Sequence, residues 1–397
     1  MRQRGVSTMG VSKKALKANN YKLTKNSLRR CGFDRWRWVF NAVNAASGEE
    51  RCFFIEISVL NPALNFDRVV FYEDQSESIK SSDLQAALTG NLDLAGGEDK
   101  TVPSYCCVCA GILGRNPRRL TRYIPACEFS FKKNGFSIKS DVCMFDENSL
   151  SGAQEVTRAD CLRLPQGSRS DVGKMEWNLK YEKIFDSAPV SSKKAFQWYA
   201  SGIKTQFSGR VKFDGDEFLI SPDNSFGYAD KAWGSEMPFP FLHISSSRMT
   251  SIFTGKIMLD SAFALECDLD GKVVVFSKFG EKEFSFGPKK KIKKYESSWR
   301  CVRSPSNSGG EELHWSVSIN SKKYILDVDV FSSVNELIIK DYDLPQGQGA
   351  LLKIVSGASA TGEIRLYRQI SKALELIQHA KIVSAVAEYG VKDSVDD

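Results

Sequence analysis

Histidine is scarce in this sequence. His243, His314 and His379 are the only three in 397 residues, and they stand far apart. That excludes an HExxH signature and a zinc site built from locally spaced histidines, so no metal and no cofactor are expected. There is also no GxGxxG after a strand, no P-loop and no GxSxG elbow. No apolar run reaches the roughly 18 residues from which a membrane-crossing helix is read. The ten cysteines are too sparse for a disulfide scaffold. Cys106 and Cys109 have CxxC spacing, but "SYCCVCAGIL" reads as a buried strand and no second pair completes a metal site. The cysteines therefore read as small buried hydrophobes in a reducing, cytoplasmic compartment.

What is present is alternation. "MEWNLKYEKI" puts Met175, Trp177, Leu179 and Tyr181 on one face. "LHWSVSI" does the same with Leu313, Trp315, Val317 and Ile319, and "YILDVDV" with Tyr324, Leu326, Val328 and Val330. One apolar and one polar face per strand is the antiparallel pattern. Asn134-Gly135, Asp214-Gly215 and Asp270-Gly271 each separate two such strands and supply the positive-φ residues of tight hairpins. About 20 strand-like segments are too many for one sheet, and closure into barrels removes the exposed edges they would leave. The expectation is an all-β protein of two tandem antiparallel β-barrels. Residues 369–390 fit either a helix or two closing strands.

The net charge of +7 is unevenly placed. Eleven Lys or Arg against Asp34 give residues 1–40 a charge of +10, leaving −3 for the rest. Residues 1–30 read as a basic leader: a solvated tail, an organelle transit peptide, or an arm that touches anionic surfaces. The lysine run "PKKKIKKYE" (288–296) reads as a solvated hairpin tip, and no nucleic-acid motif accompanies it. A chain of this length points to two domains, divided near residue 235: 31–235 and 236–397. The oligomeric state is not legible.

One stretch departs from the pattern. "FGYADKAWGSEMPFPFLHISSS" (226–247) crowds Tyr228, Asp230, Lys231, Trp233 and His243 between two barrel halves. "GYADKAWG" followed by a proline-bearing apolar strand resembles the tocopherol cyclase-like and carotenoid hydratase-like superfamily. "GFDRWRWVFNAVNAASGEERCFFIEISVLNPAL" (32–64) is similar to that group's opening hairpin, and "GEIRLYRQ" with "AVAEYG" to its closing strands. The resemblance implies two lipocalin-like barrels and a small hydrophobic ligand, a lipid or isoprenoid. It also implies a cofactor-independent cyclase, hydratase or isomerase; the alternative is a non-catalytic lipid carrier or sensor.

Protonating an isoprenoid double bond needs a strong acid in a dry cavity, with aromatic faces to stabilise the cation. Asp230 is the candidate acid, His243 its proton partner, and Tyr228 and Trp233 shape the cavity. Plainer readings stand beside these: Asp230 and Lys231 as an ion pair at the domain junction, Trp233 as a packing plug, His243 as a core or rim histidine. Trp36, Trp38 and Trp198 either line a cavity or fill a core. Glu56, on the apolar strand "CFFIEISVL", marks either a wet face or a polar fixture inside the N-terminal barrel.

Overall fold

The computed structural model describes residues 17–71, 102–132, 135–165, 170–187, 195–224, 227–287, 295–306, 309–347, 350–371 and 373–394. Residues 1–16 of the leader, all of the polar stretch 74–101 and the lysines at 288–294 lie outside these segments.

Among the described residues two antiparallel sheets organise the chain, one of 12 strands and one of 10. The first runs from the opening strand Phe33–Asn44 to the junction strand Gly227–Gly234, and the second begins at Phe241–Ser251. The opening strand pairs with both Glu50–Leu60 and Gly227–Gly234, so it lies in the middle of its sheet. Each sheet curls into a barrel, one closed and one half-closed. In the first, Gln154 on Ser149–Val156 donates to the Leu120 carbonyl on Arg118–Ile124 at 2.8 Å. In the second, the amide of Val273 donates to Ser297 Oγ at 3.1 Å, bringing Val273–Phe279 to Tyr295–Pro305.

The hairpins form for the expected local reasons. Asp214 (φ 49°) and Gly215 (φ 97°) close a two-residue turn between Phe196–Phe213 and Asp216–Ile220. Asp270-Gly271 sits in a longer loop, where the Asp268 carboxylate accepts from the amides of Asp270 and Lys272. At the C-terminus the strand alternative prevails: Ala350–Ile370 and Ala373–Ser394 pair as one long hairpin. Its β-branched alternation and the edge of Phe241–Ser251 outweigh the helix propensity of Ala, Leu, Glu and Lys.

The alternating faces place most of the described core in three clusters. Trp36, Trp38, Phe40, Phe53, Phe145, Trp177 and Phe207 fill the first barrel. Their rings pack against one another, with Trp38 stacked on Phe145 at 5.4 Å and Phe40 against Phe207 at 5.1 Å. A Cβ on Gly152 would lie 2.4 Å from the Trp177 ring, so only glycine admits that packing. Trp36 and Trp38 thus fill a core. Trp315, Val317, Leu326 and Val328 fill the second barrel. A third cluster is shared by both halves: Phe33, Val39, Trp198 and Tyr228 meet Phe241, Ala264, Phe276, Ile354 and Val386. This seam is where the two barrels pack.

Two expectations change here. All ten cysteines are free, but only Cys106, Cys107, Cys109, Cys143 and Cys267 are buried. Cys106 points into the first barrel and Cys109 into the seam, so the CxxC pair does not converge. The folded body also begins before residue 31. Leu23 is fully buried in the first barrel, Tyr21 stacks on Phe131 at 4.1 Å, and Asn26–Arg30 is a short helix.

Candidate active site

The junction strand splits the expected site in two, because successive side chains leave opposite faces of a strand. Lys231 turns to the mouth of the first barrel. Its Nζ lies 3.1 Å from Asp34 Oδ1 and 4.0 Å from the Trp36 ring centre, and it donates to the Asn19 and Asn20 carbonyls. Trp233 shares this end, 5.4 Å from the same ammonium. Trp36 Nε1 donates to Asn19 O at 2.9 Å, so residues expected in the leader cap the barrel. Burial pushes the Lys231 ammonium down to about 7 although Asp34 opposes the shift. Burial likewise pushes the Asp34 carboxyl up to about 6 against Lys231.

The sign of the resulting pH dependence follows from linkage. Asp34 contributes stability that is present at low pH and lost as pH rises through about 6. Lys231 contributes stability present at alkaline pH and lost as pH falls through about 7. The pair is therefore least favourable between those values. The double variant Asp34→Asn/Lys231→Met is expected to gain stability near pH 6–7 relative to pH 9, seen as a flatter urea midpoint against pH; an unchanged profile would refute the assignment.

Asp230, Tyr228 and Trp198 turn to the seam. The Asp230 carboxyl faces away from Lys231, but into a second cation. Arg37 holds it bidentately, Nη2 to Oδ2 at 2.6 Å and Nε to Oδ1 at 3.2 Å. Tyr228 Oη (3.0 Å) and Trp198 Nε1 (3.3 Å) donate to the same Oδ2. Burial alone would raise this carboxyl, but the Arg37 charge overrides it and holds Asp230 below the usual carboxylate range. Arg37 thus favours Asp230 as a fixed anion of the seam, against the acid role expected of it.

The network continues into the second half. Arg37 also pairs with Glu388, which accepts from Ser356 Oγ at 2.6 Å. Lys340 Nζ lies 3.5 Å from Glu388 and 3.7 Å from Glu56. Glu56 accepts from Tyr342 Oη at 2.9 Å. It therefore sits neither on a wet face nor inside a barrel, but buried between the two. Arg35, also buried, lies 5.6 Å from the Tyr342 ring centre.

His243 and Glu266 complete the cluster from neighbouring strands, where they are register partners. His243 Nδ1 is 3.3 Å from Glu266 Oε2, and Nε2 is 3.1 Å from Ser245 Oγ. The Tyr228 ring stands 5.1 Å from the imidazole and Trp198 meets it edge-on at 6.1 Å. Asp230, His243 and Glu266 are 2%, 0% and 1% exposed. Both Glu266 oxygens and His243 Nδ1 lack a hydrogen bond among the described residues.

Burial, followed by the Asp230 charge, pushes Glu266 well above the ordinary range. Burial and Arg37 push His243 down to about 3. Both shifts favour a contact between a neutral acid and a neutral imidazole over an ion pair. Charge balance agrees: Arg35, Arg37 and Lys340 offset Asp230, Glu56 and Glu388, and a fourth negative charge on Glu266 would be uncompensated. A carboxyl whose surroundings favour its protonated form thus stands at Glu266, on a strand that sequence reasoning passed over.

Asp230, His243 and Glu266 also converge within 4.8 Å, a set of the kind that binds divalent ions. The fit is poor, because Asp230 is already neutralised by Arg37 and a metal would add charge beside a guanidinium. Glu266, Arg37, Lys340 and Glu388 were all missed. The available signal was a charged residue within a strand apolar on both faces: "AFALEC", "FDRWRWVF" and "AVAEYG". Arg35 and Arg37 entered the sequence reading only within the +10 charge of residues 1–40.

No family model matches this chain, and no curated protein matches it. Among solved structures it is similar to a candidate AttH protein from Nitrosomonas europaea, at 11% identity over 90% of this chain and 91% of that one, with a TM-score of 0.43. It is also similar to kievitone hydratase from Nectria haematococca, at 9% identity over 91% of this chain and 90% of that one, with a TM-score of 0.42. Neither likeness is close enough to transfer a residue or an activity.

Proposed function

We propose that the seam is a proton-donating site that acts on a small hydrophobic molecule carrying a carbon–carbon double bond, a lipid or isoprenoid. The reaction class is hydration, cyclisation or isomerisation without a cofactor. One observation carries the reading: Glu266 is a buried carboxyl with neither oxygen hydrogen-bonded among the described residues, beside an anion that is itself fully paired. Two carboxyls whose surroundings drive their proton affinities apart are an acid and its counter-charge.

In this scheme Glu266 gives its proton to one alkene carbon. The cation left on the other carbon is stabilised by the fixed Asp230 carboxylate and the faces of Tyr228 and Trp198. Water, or a hydroxyl of the same molecule, adds to that carbon and loses a proton to His243 Nδ1, which returns it to Glu266. Hydration thus consumes one water and leaves the protein unchanged; cyclisation consumes none.

In this reading the binding surface is the seam and not the hollow of the first barrel, which is supported by the rings that fill that barrel. The complete enclosure of the three residues favours the second reading, a carrier that holds the same kind of molecule without turnover. The separating experiment uses molecules recovered by organic extraction of the native protein, together with a panel of prenylated phenols, incubated with it in D2O. Turnover predicts deuterium on an alkene-derived carbon. Retention without deuterium makes the protein a carrier, and a stoichiometric divalent ion found by elemental analysis would overturn the proton reading.

A further inference from the structure

The strands Phe241–Ser251 and Ala262–Cys267 are joined by a loop of unusual composition, "IFTGKIMLD". Ile252, Phe253, Ile257 and Leu259 are 48%, 57%, 64% and 58% exposed. Four large apolar side chains projecting from eight residues cost water contact that a solvated turn would avoid. The loop is well defined: Ile252 N donates to His379 O at 3.0 Å, and Thr250 bridges Ile257. Gly255 (φ 69°) forms its tip.

Lysines surround it. Lys256 is within the loop and exposed, Lys204 donates from the first barrel to the Leu259 carbonyl, and exposed Lys381 faces Thr250 across the ladder. Burial lowers the Lys204 ammonium, Asp260 opposes that shift and Lys278 adds to it. Apolar side chains at a tip and ammonium groups behind them match a bilayer interface, where hydrocarbon lies beneath anionic headgroups.

We propose that the loop 252–259 docks the protein on an anionic lipid bilayer, with Phe253 and Ile257 entering the acyl boundary and Lys256, Lys204 and Lys381 facing the headgroups. A protein partner fits less well, because the ammonium groups border the apolar tip on more than one side and lack a complementary shape to specify. The inference stands apart from the chemistry of the seam.

The test is flotation of the full chain with vesicles of phosphatidylcholine alone and with added phosphatidylserine. The native protein is expected to float with the anionic vesicles. Phe253→Ser/Ile257→Ser should weaken that binding about ten- to a hundredfold, from the loss of two buried apolar side chains. Lys256→Glu should weaken it several-fold and only at low salt. Both sites are exposed, so thermal melts of the variants should overlay the native curve. A Phe253→Trp variant should shift its emission to the blue on adding anionic vesicles. Binding retained by the double serine variant would assign it to the basic leader and overturn the proposal. No binding to either vesicle, or a dimer in light scattering that the same variant abolishes, would overturn it as well.

Discussion

Arg37→Met is expected to be the most damaging single substitution at the seam, lowering the unfolding free energy by about 3–5 kcal/mol. The guanidinium is 1% exposed and serves two carboxylates, Asp230 and Glu388, from opposite halves of the chain. Removing it leaves both anions buried, and Lys340 reaches only Glu388. The loss should come from that uncompensated charge and not from lost packing, since methionine fills most of the stem. Urea unfolding of Arg37→Met beside Arg37→Met/Asp230→Asn/Glu388→Gln separates the two: the triple variant should recover most of the loss. A single variant within about 1 kcal/mol of native would mean that Arg37 is dispensable. The seam would then not depend on its charges.

Glu266→Gln is expected to behave in the opposite way. Glutamine keeps the shape and size of a protonated glutamate, and burial beside the Asp230 charge favours the protonated form of Glu266, so the fold should tolerate the change. Turnover should fall by about 10²- to 10⁴-fold, the usual contribution of a positioned general acid. Asp230→Asn should reduce turnover too, but with loss of stability, because Arg37 loses its bidentate partner. Infrared spectroscopy gives a readout independent of any substrate: at neutral pH the native protein should show the C=O stretch of a protonated carboxylic acid, and Glu266→Gln should lack it. Unimpaired deuterium incorporation by Glu266→Gln, or no such band in the native protein, would remove Glu266 as the acid.

The all-β architecture was legible because alternation and turn chemistry are local. Met175, Trp177, Leu179 and Tyr181 are all buried on one face, and Asp214-Gly215 turns as its φ preferences require. The site was half legible. Tyr228, Asp230, Trp198 and His243 do meet, but Lys231, Trp233 and Trp36 lie on the other side of the same sheet. A period-two reading separates Asp230 from Lys231 in principle. What it cannot supply is the partner: Arg37 lies 193 positions from Asp230, and Glu388 lies 351 positions from Arg37. Ion pairs of that sequence separation leave no local trace. Glu266 is a different case, since an acid in step with Ala262 and Ala264 was visible as an interruption of an apolar face.

The seam also bears on how this chain can change over generations. Arg37 and Glu388, Lys340 and Glu56, and Tyr105 and Asp343 each join one barrel to the other. A substitution at any of these positions is felt as a defect in the opposite half. Drift in one barrel must therefore be answered by a matching change in its neighbour. The two halves, separate as sheets, are bound to vary as a single inherited unit.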